Sequence, residues 1–416
     1  MQPIKFIVRS SPLIVCLAVF CTGTAIAQEA YVYDFIPTEG VYAYDASSTG
    51  KLALIEGSPF KTAGTGGTQN DPAGAMVGTN GSYFVTADST TLYAYKVESN
   101  GAIGKLVSQI DTQKYSGSEC GAIDTNAAAS GGVAAQFNHA GDDLYVHLYG
   151  AQGPYYEGAC DGIQTYGVAK NGTLTFKGVT EVNQDSSFLF TALLPTMIGD
   201  GKFGYGYERN LENGDLCDGT TYNLFAAETG GTLSYVSNSY QLPPAPPSGF
   251  TWEPGPLTDD PTNHLAIAMG STSDPDCEDY PITFGPIQLG SYTVDSQGNL
   301  TTTNTYETMP SLPPGDGTNL MKMDPNGKVL AVATGTGVEF FHFNGADPIT
   351  PFTGVLGGTS GNITNMAWDE DGHLYAQNGK SGDLYIYVVG ATTVKELSPV
   401  SIPYSSPNSS IIVRTK

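Results

Sequence analysis

The sequence predicts an all-β protein, a seven-bladed β-propeller of four-stranded antiparallel blades whose ring is closed by the C-terminal strand. Three observations lead there. Short strand-like runs end in an aromatic at seven places, Tyr44, Tyr95, Tyr166, Phe225, Tyr292, Phe341 and Tyr387. The first five are followed six residues on by glycine (Gly50, Gly101, Gly172, Gly231, Gly298) and two later by an apolar residue (Leu52, Ile103, Leu174, Leu233, Leu300). That order is a strand, a glycine turn and a second strand, a hairpin signature. The anchors recur at 46 to 71 residues, the period of four-stranded propeller blades rather than of helical repeats.

In chain order, residues 1–27 read as a secretory signal. Lys5 and Arg9 give a positive start, Leu13 to Phe20 an apolar middle, and Ala25-Ile26-Ala27 a small-residue cleavage site. Cleavage near Ala27 and a secreted or periplasmic location are expected. No later stretch is apolar for the 18 or more residues that a membrane helix needs, so no membrane span is expected. The rest, 28–416, reads as one propeller domain with blades at about 31–61, 73–112, 132–185, 190–242, 255–309, 318–357 and 363–402. Blade 1 opens on YVYDF (31–35) as its second strand, with no first strand before it. The segment SSIIVR, within a closing strand at 408–416, supplies the missing strand and removes an open sheet edge.

Segments rich in Asp, Asn and Gly precede the second strands: Asn80-Gly81, Gly141-Asp142-Asp143, Asp200-Gly201-Lys202, Asp260 to Asn263, Asp324 to Lys328 and Asp369 to His373. Asp, Asn and Gly are the residues that tight turns require, and the twelve-residue calcium-loop pattern is absent, so these read as turns.

Without the signal the chain has 15 basic against 41 acidic residues, a balance of −26. Nucleic acid, which needs clustered Lys and Arg, is a poor partner for such a surface. A monomer is expected. The four cysteines that remain, Cys120, Cys160, Cys217 and Cys277, form an even set in an exported chain, which points to two disulfides. Three connectivities are open; loop adjacency favours Cys120 with Cys160 and Cys217 with Cys277.

Excess length falls in 110–131, 150–162, 208–221, 241–256 and 271–287, all second-to-third or blade-to-blade loops. In a four-stranded blade those loops share one face, while first-to-second and third-to-fourth turns share the other. Long loops on one face of a rigid scaffold are where binding or catalysis resides. Acidic residues crowd them, among them Glu119, Asp161, Asp215 and Asp276, either as a solvated rim or as oxygen donors for calcium. Aromatics accompany the acids, notably Tyr155, Tyr156, Trp252 and Tyr280, suited to stacking on a carbohydrate-like ligand or gripping a protein, or to packing their own loops.

The segment VYAYDASSTGKLALIEGSPF (41–60), its Gly57 to Phe60 ending and the Asp-x-x-Gly-Lys turn at Asp324 to Lys328 resemble the blades of lactonase-type seven-bladed propellers. That group is related to 6-phosphogluconolactonase and the cycloisomerases. The resemblance covers the mature chain as a repeat pattern and implies His, Arg and Glu around the loop-face mouth of the channel. Glu208 and Arg209, where the second strand of blade 4 meets its long loop, and His147, in the second strand of blade 3, are the candidate trio. A carboxylate there would activate water while a guanidinium stabilised the oxyanion. Two readings result: an exported binding propeller without established catalysis, and a lactone hydrolase. His139, His264 and His373 fall at first-to-second turns, on the opposite face.

Overall fold

The computed structural model describes residues 30–36, 39–63, 75–87, 91–112, 134–149, 161–182, 189–210, 220–237, 250–273, 283–312, 320–357, 363–402 and 410–416. They form seven antiparallel sheets in a ring and contain no α-helix. Blade 1 is built from β1 (Ala30–Ile36), β2 (Gly40–Ala46), β3 (Leu52–Leu54) and, from the far end of the chain, β29 (Ser410–Thr415). Blade 2 holds β4 (Ala75–Thr79), β5 (Tyr83–Ala87), β6 (Thr91–Val97) and β7 (Ile103–Asp111). Blade 3 holds β8 (Ala134–Phe137), β9 (Asp143–Tyr149), β10 (Asp161–Val168) and β11 (Leu174–Val182). Blade 4 holds β12 (Leu189–Met197), β13 (Phe203–Asn210), β14 (Thr220–Ala227) and β15 (Leu233–Ser237). Blade 5 holds β16 (Thr251–Asp259), β17 (His264–Thr272), β18 (Gln288–Val294) and β19 (Leu300–Thr301). Blade 6 holds β20 (Met321–Met323), β21 (Val329–Thr334), β22 (Gly337–His342) and β23 (Thr350–Pro351). Blade 7 holds β24 (Ile363–Trp368), β25 (His373–Asn378), β26 (Asp383–Val389) and an outer edge of two pieces, β27 (Val394–Glu396) and β28 (Val400–Ser401). The first strands of neighbouring blades touch, so they line the axis. Among the described residues no helix is long and apolar enough to cross a membrane.

All seven aromatic anchors are buried, each facing one residue of the second strand of its blade. The partners are Val32, Phe84, Leu144, Gly204, Leu265, Leu330 and Leu374. Because a strand shows alternate residues to opposite faces, each second strand feeds two interblade cores. Val32 and Ile36 pack on Tyr375, Leu384 and Ile386 of blade 7. Tyr31, Tyr33 and Phe35 pack on Phe84 and Tyr95 of blade 2.

The closing strand stands where the sequence places it. β29 runs antiparallel to β1 with Ala30 opposite Thr415 and Phe35 opposite Ser410. On the face of this pair turned towards blade 2, Arg414 and Lys416 lie over the Tyr31 ring, at 5.7 and 4.7 Å from its centre, a cation–π arrangement.

The glycine turns also bear out their reading. In each of the five, the glycine has φ between 77° and 93° and its N–H donates to the carbonyl three residues back at 2.8–3.1 Å. The apolar residue two positions later begins the outer strand. These turns nest against the preceding blade: Tyr33 donates to Gly101 O at 3.0 Å and Tyr83 to Lys170 O at 3.0 Å. A Cβ at Gly172 would stand 2.3 Å from the Tyr83 ring, whereas one at Gly201, φ 69°, would meet nothing within 4 Å. Gly172→Ala is therefore expected to cost about 2–4 kcal/mol, left-handed strain plus overpacking, against about 1–2 kcal/mol of strain alone for Gly201→Ala. Equilibrium denaturation of both variants checks this; equal losses would mean that the contact with Tyr83 carries no energy.

The turns before the second strands use their acidic side chains on their own backbone. Asp324 Oδ1 accepts from the N–H groups of Lys328 and Val329 at 2.6 and 2.8 Å. Asp369 and Asp260 cap their turns in the same way. Carboxylates engaged like this hold turns, as their sequence suggests.

Candidate functional site

Glu208 and Arg209 are residues of β13, opposite Thr191 and Phe190 on one side and Thr221 and Thr220 on the other. His147 is a residue of β9, between Ala134 and Ile163. All three stand near the long-loop ends of second strands in adjacent blades. Their side chains lie outside the described residues, as do Tyr155, Tyr156, Tyr280 and the four cysteines Cys120, Cys160, Cys217 and Cys277.

Trp252 corrects the reading of 241–256 as one loop. It sits in β16, the axial strand of blade 5, 7% exposed, beside Met269, Tyr292 and Met309 and at 6.0 Å, centre to centre, from the Tyr306 ring. Here the aromatic packs its own blade rather than offering a face to a ligand.

The structure draws together a set of charges that the sequence does not single out, at the end of the channel bordered by the short turns. His139, in the turn between β8 and β9, reaches past blade 4 to blade 5. Its Nε2 lies 2.7 Å from Met197 O and 3.2 Å from Asp259 Oδ2. The bond to Asp259 raises the imidazole to about 9, against the opposing effect of burial, so it is protonated at neutral pH. Next to Asp259, Thr258 Oγ1 accepts from the Met323 N–H at 3.2 Å and docks the axial strands of blades 5 and 6. Met321 and Met323 are buried between those blades, so Lys322 between them points away from that core. It is open to solvent yet ringed by protein, the setting of a channel-lining side chain. Loss of bulk water lowers its ammonium from the usual lysine range, opposed by the Asp259 charge. No ion pair closer than 4 Å forms between Lys322 and the described residues.

The neighbouring turns reinforce this end. Asn80 Nδ2 of blade 2 donates to Gly141 O of blade 3 at 2.9 Å. The backbone at Pro261 of blade 5 would lie 2.2 Å from a Cβ at Gly199 of blade 4, and its ring 2.7 Å from one at Gly327 of blade 6. Blades 2 to 6 are thus stitched together on the short-turn side.

His264, His342 and His373 serve structure. His373 Nδ1 meets Asp369 Oδ2 at 2.8 Å with both side chains buried, and Tyr375 donates to the same oxygen at 3.2 Å. His264 pairs with Asp260 at 3.1 Å, and His342 stacks on Phe352 at 4.1 Å. Among the described residues no three His, Cys, Asp or Glu side chains converge as metal ligands.

This architecture is that of the seven-bladed β-propellers. Among solved structures it is similar to a protein from Lactobacillus plantarum, with TM-score 0.55 and 14% identity over 94% of this chain and 99% of that one. It is similar also to a putative 6-phosphogluconolactonase from Bacteroides uniformis, with TM-score 0.51 and 12% identity over 90% of this chain and 97% of that one. A functionally unknown protein from Desulfotomaculum acetoxidans matches with TM-score 0.51 and 13% identity over 92% and 98% of the two chains. At such identities the likeness establishes the fold. No protein-family model matches the sequence, and no curated protein matches it.

Proposed function

We propose that the protein is an exported propeller that binds a small carbohydrate-like ligand, or a protein partner, on the face carrying its long acidic insertions. The observation that carries this reading is the contrast between the two ends of the ring. On one, short turns cap themselves and lock to one another through His139, Asn80 and Pro261, leaving little to adapt to a ligand. On the other, the ends of the described strands that the long sequence insertions connect lie together, the arrangement by which scaffolds present binding loops. Calorimetric titration of the mature protein with neutral and acidic sugars, with and without calcium, tests the proposal. Saturable heat with a sugar supports it, and flat titrations across the panel overturn the carbohydrate form.

A second reading, lactone hydrolysis, draws on the strand-end positions of Glu208, Arg209 and His147 in adjacent blades and on the putative 6-phosphogluconolactonase among the structural neighbours. Glu208 would serve as base and Arg209 as oxyanion partner. It expects turnover of a lactone that Glu208→Gln lowers by about a hundredfold or more. Absence of turnover on sugar and aliphatic lactones alike eliminates it.

A further inference from the structure

The seam between blades 1 and 7 contains a buried polar pair that the binding reading does not use. Asp34, in the middle of β1, is 0% exposed and stands between Tyr42 of β2 and Ile411 of β29. By strand alternation its side chain shares a face with Val32 and Ile36, which pack on blade 7. From blade 7, Gln377 of β25, also 0% exposed, donates from Nε2 to Asp34 Oδ1 at 3.1 Å. The second atom of each fork, Asp34 Oδ2 and Gln377 Oε1, is buried without a hydrogen-bond partner.

Both of these atoms are oxygens, and an ionised carboxylate has no hydrogen to offer the amide oxygen. A neutral carboxylic acid does. With Gln377 Nε2–H donating to Asp34 Oδ1, the O–H of that acid would have Gln377 Oε1 to donate to, so that one proton would satisfy both orphaned atoms. Among the described residues nothing else performs this service. Among the described residues the titratable groups on this face are the phenols of Tyr42 and Tyr44 on β2 and of Tyr375 on β25, with His373 held by Asp369 at the turn end. β29 contributes Ile411 and Val413 to this core, while its Arg414 and the following Lys416 lie against Tyr31, which packs on the other face. With no cation among the described residues to hold the charge, burial raises the Asp34 carboxyl to about 7, opposed by the Gln377 bond.

We propose that Asp34 and Gln377 form a proton-operated latch on the seam of the ring: the neutral acid joins blades 1 and 7 by two hydrogen bonds, and ionisation breaks one and leaves a charge buried between the blades. The direction follows from linkage. A carboxyl raised in the folded state contributes stability that is whole below its unfolded value of about 3.8, declines as pH climbs towards about 7, and is lost above that.

Folding constants of the wild type and Asp34→Asn, compared by denaturant titration from pH 5 to pH 9, test the latch. Asparagine reproduces the neutral acid, with Oδ1 to accept from Gln377 Nε2 and Nδ2 to donate to Gln377 Oε1, and cannot ionise. The wild-type constant divided by that of the variant is expected to fall about tenfold per pH unit up to about pH 7 and then level off, as release of one proton requires. Titration of His139, common to both proteins, cancels in the ratio. A ratio independent of pH overturns the latch. Infrared spectra of wild-type protein with labelled aspartate give an answer even if the variant does not fold. A protonated-aspartate carbonyl band present at pH 6 and gone by about pH 8.5 supports the latch, and no such band at pH 6 refutes it.

Discussion

Ending the chain after Tyr404 is expected to abolish cooperative folding or lower the melting temperature drastically. The deletion removes β29, and with it the ladder from Ala30 to Phe35, a row of residues buried in the intact ring. It also removes Ile411 from the blade 1–7 core and the two cations over Tyr31. Ladder hydrogen bonds worth about 0.5–1.5 kcal/mol each, plus roughly 2 kcal/mol for one buried isoleucine, approach the whole margin of about 5–15 kcal/mol by which domains are stable. Blade 1 would also present an open edge to the channel. Circular dichroism melts of the truncated and full-length proteins decide the matter, and an unchanged melting temperature would contradict a structural role for the strand. Supplying residues 405–416 as a separate peptide should restore part of the loss.

The second large effect belongs to an anchor. Phe341, 1% exposed, faces Leu330 and Pro351 within its sheet and packs with Met321, Leu312 and Ile349. Phe341→Ala leaves a cavity in a core walled by strands on both sides, which limits collapse, so a loss of about 3–5 kcal/mol is expected. His342, the next residue, is half-buried and stacked on Phe352. Its replacement by alanine should cost about 1 kcal/mol. Denaturant midpoints for the two variants test the contrast, and comparable losses would mean that the aromatic repeat does not mark the interblade core.

The features legible in the sequence are those governed by local rules. A glycine six residues after an aromatic reports a turn that needs a left-handed residue, and Gly50, Gly101, Gly172, Gly231 and Gly298 all adopt it. Closure was legible because YVYDF lacked an inner neighbour and only one apolar segment remained to supply it. Trp252 misled because Pro254 and Pro256 made its segment look like a connection. Proline is tolerated in β16 because an axial strand has a ladder on one side only, and the pairing shifts register between Pro254 and Leu257. His139, Asp259 and Lys322 belong to three blades, and no spacing announces their meeting. One local signal existed: in Met321-Lys322-Met323 alternation sends the lysine away from the core that takes the methionines. Asp34 was invisible for a different reason. Both faces of β1 are buried, so the periodicity that separates inside from outside carries no information there.

The pairing of Ala30 with Thr415 has a consequence for the crowded, newly made protein. Blade 1 remains three-stranded until the last dozen residues have been synthesised, and throughout that time its inner edge accepts any strand of suitable pattern. The best-matched candidate is the same tail on a neighbouring molecule. Two chains that trade tails satisfy every pairing of the monomer while becoming linked, and at high concentration such exchange competes with self-closure. The site that completes one ring is also where two molecules become entangled.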